Sequence, residues 1–179
     1  FYNPPGMVGA QAKAIAAAYR KLADDGIDVE NVRLVLVTHS IPVAMEEGSA
    51  PTEAERSSIA PDLSTEISYV AQHRALIRAL LPLVRGSLGL SRIEWDLAFC
   101  SRSGPAWSRW LEPDVNDHLE ALAAGHLTDG SPVDRPGGVV VAPFGFISDH
   151  MEVVFDLDTE AAQTARDLGM PYARAATVG

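Results

Sequence analysis

Short apolar runs alternate regularly with longer stretches of helical pattern along this sequence. The runs occupy residues 32–37, 93–99 and 139–142, and they are rich in β-branched or aromatic side chains. Such runs are typical of strands in a covered sheet. Strands that alternate with helices form parallel sheets with right-handed crossovers. The sequence therefore predicts an α/β fold, an open parallel sheet flanked by helices.

The stretches between these runs carry the start and stop signals of helices. We expect helices near residues 6–24, 64–85, 115–124 and 152–168, and a loop at 46–61. The second helix contains Pro82. Because a proline inside a helix removes one backbone hydrogen bond, we expect Pro82 to bend or end it.

Polar side chains follow each of the three predicted strands. His39 follows the first strand, Ser101 and Arg102 follow the second, and His150 and Glu152 lie just beyond the third. Ligands of open parallel sheets bind beyond the carboxyl ends of the strands. We therefore expect these side chains to converge on one cleft.

An acidic row continues from Glu152. Glu152, Asp156 and Glu160 are spaced four residues apart, so a helix would carry them on one face. Like charges at this spacing destabilise a helix by a few tenths of a kcal/mol per pair, roughly, and most such rows are solvated acidic faces. Because this row starts at the strand-end edge, cation binding is the competing interpretation.

Charge and cysteine content exclude several classes of protein. The net charge of −10 repels phosphate groups and anionic lipids, so a nucleic-acid partner is not expected. Cys100 is the single cysteine, too few for a thiolate zinc or iron–sulfur site. A metal would have to be bound by histidine and carboxylates. No apolar run is long enough for a transmembrane segment, and a reducing, cytoplasmic location is expected.

Other histidines and the tryptophans have simpler explanations. We expect His73, His118 and His126 to be surface or structural residues, and His150 to be held in one tautomer by Asp149. Residues 107–117 carry two tryptophans, which either plug the core edge or offer a flat wall to a planar ligand.

Four segments resemble motifs of the ferrochelatase family, in the family's order and with similar spacing. They read T-H-S-I-P from Thr38, S-R-S-G-P from Ser101, W-L-E-P-D from Trp110 and G-F-I-S-D-H-M-E-V-V-F-D from Gly145. The resemblance spans nearly all of residues 1–179 and corresponds to the C-terminal one of two similar α/β domains. It implies a Rossmann-like chelatase fold. A start at Phe1, without methionine, agrees with a fragment that lacks the N-terminal domain, the opposite wall of the porphyrin cleft.

The resemblance also implies residue roles. His39 and Glu152 would face each other as the pair that handles metal and protons, and Asp156 and Glu160 would be further metal sites on a π-helical turn. The residues implied near the porphyrin are Ser101, Arg102 and Trp110. The family's usual glutamine before Ser101 is Cys100 here.

The implied substrates are ferrous iron and a porphyrin, either coproporphyrin III or protoporphyrin IX. The alanine-rich, acidic composition looks like that of actinobacterial members, which favours coproporphyrin III. No permanently bound cofactor is expected in this chain. Some family members carry a [2Fe–2S] cluster, which a single cysteine does not support.

These residue types suit metal insertion, in which iron sheds water and two pyrrole protons leave. A neutral imidazole binds Fe²⁺ and accepts protons near neutral pH, and a carboxylate does either. We favour His39 as base, although the roles of His39 and Glu152 are interchangeable at this point. Two alternatives are a chelatase for cobalt or another tetrapyrrole, and a porphyrin-binding module inactive without its N-terminal half.

Overall fold

The strands form one parallel sheet. A computed structural model describes residues 5–49, 68–105 and 107–179 of the chain. Within these ranges the strands are β1 (Val32–His39), β2 (Trp95–Cys100), β3 (Gly138–Pro143) and β4 (Tyr172–Arg174). They pair in parallel in the order β2-β1-β3-β4. The expected α/β sheet is confirmed, and β4 is an addition to it.

Helices cover both faces of this sheet. They are α1 (Pro5–Asp24), α2 (Val43–Ser49), α3 (Tyr69–Leu88), α4 (Val115–Ala123), α5 (Met151–Val153), a π-helical segment (Val154–Ala161) and α6 (Ala162–Asp167), with a 3₁₀ turn at Val29–Asn31. The last three helical pieces follow one another directly. Among the described residues, no helix combines the length and the apolar character needed to cross a membrane.

Side chains of β1 alternate between two hydrophobic cores. Leu34 and Leu36 face α1 and α3, whereas Val35 and Val37 face α4 and the π-helical segment. All four are fully buried. Each contributes about 2 kcal/mol through removal of apolar surface from water. This two-sided burial fixes β1 at the centre of the sheet and its last residue, His39, at the carboxyl edge.

Helix α3 does not end at Pro82, so that part of the prediction was wrong. The helix begins after Ser68, whose hydroxyl accepts a hydrogen bond from the Ala71 amide, and it continues to Leu88. Leu80 and Val84, on either side of the proline, are fully buried against the core. Their packing offsets the cost of about 3 kcal/mol for a proline inside a helix.

The loop expected at 46–61 was wrong at its start, because helix α2 extends through Ser49. The remainder of that loop and the start of the second predicted helix, at 64–67, lie outside the described residues. The last predicted helix is confirmed as a helical stretch, but its middle is the π-helical segment. That segment carries two of the three acids of the row.

Candidate active site

His39 and Glu152 lie together at the carboxyl edge of the sheet. His39 is the last residue of β1, and Glu152 is in α5, just beyond β3. The His39 Nε2 and Glu152 Oε2 atoms are 3.9 Å apart, with 33% of the histidine side chain and 53% of the glutamate side chain exposed. The two groups therefore face each other across a gap longer than a hydrogen bond, and both are open to solvent.

The His39 ring is held in one orientation by its own neighbour. Its Nδ1 lies 2.6 Å from the Ser40 carbonyl oxygen. Because a carbonyl can only accept, Nδ1 must carry the hydrogen and donate it. In the neutral ring the lone pair is then on Nε2, the nitrogen that faces Glu152. This atom is free to bind a cation or accept a proton.

A partly buried polar network lies behind His39. The Tyr69 hydroxyl donates to the His39 carbonyl at 2.9 Å, and Thr38 Oγ1 lies 2.8 Å from the Tyr69 hydroxyl and 3.0 Å from His73 Nε2. Burial lowers the pKa of His73 below its ordinary value, which favours the neutral ring. His73 is therefore structural, as expected. The network fastens the end of β1 to helix α3.

Gly145 is required beside this network. A Cβ atom at Gly145 would lie 2.1 Å from Thr38 Oγ1 and 3.1 Å from His73 Nε2. Nothing larger than glycine fits there without displacing Thr38. The loop after β3 can thus pass close to the end of β1, which brings Glu152 within reach of His39.

The three acids of the row line one cavity of about 300 Å³. Its walls also include Ser101, Arg102, Ser103, Asp114 and Asn116. A π-helix closes its hydrogen bonds five residues apart, so one turn holds more than four residues and a step of four returns almost to the same side. Asp156 and Glu160 therefore continue the row that starts at Glu152.

Ser101 connects the end of β2 to this row. Its hydroxyl donates a hydrogen bond to Asp156 Oδ2. The backbone of Ser101 has a φ of 60°, a left-handed conformation that costs a non-glycine residue about 1–2 kcal/mol. Such strain is found preferentially at functional sites. Here it accompanies a side chain that holds an acid of the row in place.

Cys100 precedes Ser101 and is not a thiolate. Its side chain is buried, and burial raises the pKa of the Cys100 thiol to about 12. The neutral thiol is a poor metal ligand, because metals bind the thiolate form. Among the side chains that line this cavity, the groups suited to a cation are therefore oxygens, with the imidazole nitrogen of His39 close by.

The loop after β2 folds onto the loop after β1. The Val43 amide donates to the Arg109 carbonyl at 2.8 Å, and the Leu111 amide donates to the Ile41 carbonyl at 3.0 Å. Trp110, between these two points, is half-buried. Its ring covers Gly104, where a Cβ atom would lie 2.4 Å from the ring. Trp110 is thereby carried to the edge that bears His39.

Trp107 does not plug the core, since 85% of it is exposed. It belongs to a set of exposed large hydrophobic residues on segments that follow the ends of β1, β2 and β3. The set, called the apolar rim below, consists of Met45, Trp107, Ile147, Met151, Val154 and Phe155. Exposed apolar side chains near this edge are candidates for contact with a ligand or another domain.

Phe146 connects the histidines at the edge. Its ring centroid is 6.5 Å from that of His39 and 5.4 Å from that of His150. Asp149 does not hold His150 as expected; it accepts a hydrogen bond from Arg174 at 2.8 Å instead.

Within the described ranges, no three His, Cys, Asp or Glu side chains are grouped closely enough to enclose a metal. His39 and Glu152 are a two-donor pair.

A family model of ferrochelatases matches residues 1–179 of the chain. The chain belongs to the ferrochelatase family. It is 41% identical over 100% of its length to a coproporphyrin III ferrochelatase of Streptomyces griseus, and 42% identical over 98% of its length to one of Propionibacterium freudenreichii. The chain spans about two fifths of the length of these relatives, 42% and 41%.

Two other histidines of this ferrochelatase-family chain are structural or at the surface, as expected. His118 Nε2 lies 2.9 Å from Asp96 Oδ2 in the amino half of the sheet, where Arg33 also donates to Asp96. Burial acts to raise the pKa of Asp96, but the hydrogen bonds from Arg33 and His118 outweigh it and lower that pKa. His126 binds the Leu127 carbonyl at the surface.

Tyr172 and Arg174 lie near the acid row, and the sequence did not indicate a role for either of them there. The Tyr172 hydroxyl donates to the Leu157 carbonyl, and Arg174 donates to Asp149 and Asp158. The only sequence signal of strand β4 is the alternation of polar and apolar side chains over its three residues, which is too short to identify a strand.

Proposed function

We propose that this chain forms the metal-inserting domain of an enzyme that places ferrous iron into a porphyrin in haem synthesis. The observation that carries the proposal is the pairing of His39 Nε2 with Glu152 Oε2 at 3.9 Å, on an open edge of the sheet. Family membership and the names of the relatives support it.

His39 and Glu152 would be the metal- and proton-handling pair. Insertion brings in two positive charges and releases two pyrrole protons, so the charge of the ring is unchanged. Nε2 of His39 has its lone pair available because Nδ1 donates to Ser40. It would accept one proton as general base, and the Glu152 carboxylate would accept the other or hold the incoming ion.

Asp156 and Glu160 would bring the ion to this pair. Carboxylate oxygens suit divalent ions, and a row of negative charges raises their local concentration. Ligation by one imidazole and single carboxylates is weak compared with a closed four-ligand site. Weak ligation is needed, because the ion must be surrendered to four pyrrole nitrogens.

The porphyrin would lie against the apolar rim and the loop after β2. Trp110 would offer a flat ring, Ser101 a hydroxyl, and Arg102 a cation for the acidic side chains of the macrocycle. Arg102 is available for exchange of partners, since its ion pair with Glu112 is long, at 3.8 Å, and exposed.

The relatives named as coproporphyrin III ferrochelatases favour coproporphyrin III over protoporphyrin IX, and iron over cobalt. An N-terminal domain of the same protein would supply the opposite wall of the cleft, in keeping with the two-fifths coverage of the relatives. We propose a cytoplasmic setting, since one buried thiol fits a reducing compartment. We propose no iron–sulfur cluster in this chain, because Cys100 is its single cysteine.

The test is a metal-insertion assay on the 179-residue chain, alone and together with the N-terminal part of the Streptomyces griseus relative. Each arrangement is given Fe²⁺ or Co²⁺ with coproporphyrin III or protoporphyrin IX. We expect turnover with Fe²⁺ and coproporphyrin III when both parts are present. Absence of iron insertion in both arrangements, despite porphyrin binding, would reduce the chain to a binding module. Turnover with Co²⁺ alone would favour the cobalt alternative.

A further inference from the structure

Strand β4 contacts the π-helical segment and the residues just before it, through side chains that do not line the cavity of the acid row. The Tyr172 hydroxyl donates to the Leu157 carbonyl at 2.7 Å. Arg174 donates through Nε to Asp158 Oδ1 at 2.9 Å, and through Nη2 to Asp158 Oδ2 at 3.0 Å and Asp149 Oδ1 at 2.8 Å. Both side chains of β4 that point to this face therefore bind the stretch 149–158.

The contacts meet two physical needs of that stretch. A π-helical turn is rare and less favourable than an α-helical one, so it requires support from neighbours. The second need is charge: five acids lie between residues 149 and 160, at positions 149, 152, 156, 158 and 160. Arg174 binds two of them, and its side chain is only 12% exposed. The carboxylates of Asp149 and Asp158 are 45% and 42% exposed, so solvent screens the attraction, and the two-donor geometry of the guanidinium supports the contact more than burial does.

Neighbouring acids of the π-helical segment are held from opposite sides. Asp156 accepts a hydrogen bond from Ser101, at the end of β2. Asp158, two residues later, is bound by Arg174 of β4. The segment is thus fixed between the two outer strands of the sheet. Arg174 also joins Asp149, before Glu152, to Asp158, after Asp156, and so spans the part that carries both acids.

We propose that Tyr172 and Arg174 are positioning residues. They hold Glu152 and Asp156 in place, and these two acids bind the incoming divalent cation. Tyr172 and Arg174 do not contact the cation. The proposal rests on the proposed function for its catalytic meaning. Arginine is needed at position 174 because its planar fork binds one carboxylate with two donors and still reaches a second. A lysine ammonium keeps the charge but not this geometry.

The test compares Arg174→Lys and Tyr172→Phe with a matched control, Arg33→Lys. Arg33 also forms a two-donor pair with a carboxylate, that of Asp96, but at the amino half of the sheet. Two measurements use the 179-residue chain: hydrogen exchange of amides 152–161, and the dissociation constant for Co²⁺ as probe ion. A third measures KM for ferrous iron and for porphyrin in the chain combined with the N-terminal part of the Streptomyces griseus relative, called the assembled enzyme below.

We expect both β4 variants to speed exchange at 152–161 and to weaken Co²⁺ binding, for Arg174→Lys by about tenfold, as for residues that orient metal ligands. KM for iron should rise with the Co²⁺ dissociation constant, while KM for porphyrin stays the same. Arg33→Lys should lower the melting temperature without these local effects. The tyrosine variant removes a single hydroxyl and keeps the inference testable if the arginine variant does not fold.

Unchanged exchange and unchanged Co²⁺ affinity in both β4 variants would overturn the inference. So would equal effects in Arg33→Lys, or an unmodified chain that binds no Co²⁺. Failure of the proposed function gives a different pattern. In that case the unmodified assembled enzyme inserts no iron, while exchange at 152–161 still responds to position 174.

Discussion

The hydroxyl of Ser101 donates a hydrogen bond to the carboxylate of Asp156, so the end of β2 holds the middle acid of the row. The two residues are 55 positions apart in the chain. Ser101 makes this contact from a left-handed backbone, with a φ of 60°. Substitutions at Ser101 can therefore separate the effect of its hydroxyl on Asp156 from the effect of its strained backbone on stability.

Ser101→Ala removes the hydroxyl and keeps the strained backbone, whereas Ser101→Gly removes both. We expect equal losses of Co²⁺ affinity from the two variants, because each leaves Asp156 without its partner. The glycine variant should be more stable than the alanine variant by about 1 kcal/mol, since glycine adopts positive φ at little cost. Isothermal titration and urea unfolding check the two effects. If the two variants differ in the free energy of Co²⁺ binding by as much as they differ in the free energy of unfolding, the two effects are not separate.

His39→Ala and Glu152→Gln should each reduce iron insertion by about 100-fold or more in the assembled enzyme, the usual range for loss of a general base. Porphyrin affinity, measured by fluorescence titration, should be unchanged, because the apolar rim remains. His126→Ala and Glu120→Gln are matched controls at the surface, away from the pair. Near-normal turnover in both site variants would refute the assigned roles.

His73 should make stability depend on pH below about 6.5, the ordinary pKa of histidine. Its pKa in the folded chain is lowered by burial, so between the folded value and 6.5 the unfolded chain binds a proton that the folded chain does not. Stability then falls as the pH is lowered through this window. His73→Gln should flatten that part of the profile, measured by urea unfolding at several pH values. His126→Gln, an exposed control, should leave the slope as it is.

Gly145→Ala should destabilise the chain by about 1–3 kcal/mol, the cost of overpacking a filled site. The new Cβ would be placed 2.1 Å from Thr38 Oγ1, which forces the network behind His39 apart. Gly86→Ala is the opposite control, because its Cβ meets nothing within 4 Å and it lies inside helix α3. That variant should be stabilised by about 0.5–1 kcal/mol. Melting curves of both proteins check the sign of each effect.

The sheet could be predicted because its signals are local. The β-branched run that begins at Val32 identifies a strand buried on both faces, and glycines such as Gly26 mark the ends of helices. Topology then places His39 and Glu152 at one edge, since the carboxyl ends of parallel strands lie together. Pairing at 3.9 Å agrees with that expectation.

What could not be predicted depends on contacts between distant parts of the chain. Packing of Leu80 and Val84 keeps helix α3 continuous through Pro82, although the local signal favours a break. Arg174 contacts Asp149 and Asp158, 25 and 16 residues earlier, and nothing in its immediate neighbours indicates either partner. Local pattern therefore locates the site, and only tertiary structure shows what supports it.

The π-helical segment lets this stretch hold an additional residue without changing the direction of its acidic side. Deleting one residue between Asp156 and Glu160 would turn hydrogen bonds that span five residues into α-helical bonds that span four. Glu160 would then be the seventh residue after Glu152, about 20° away around an α-helix, so the two acids would still share one side. The same deletion from a regular α-helix would turn everything after it by about 100°. The wider turn therefore absorbs a change in length that an ordinary helix would pass on to every later side chain.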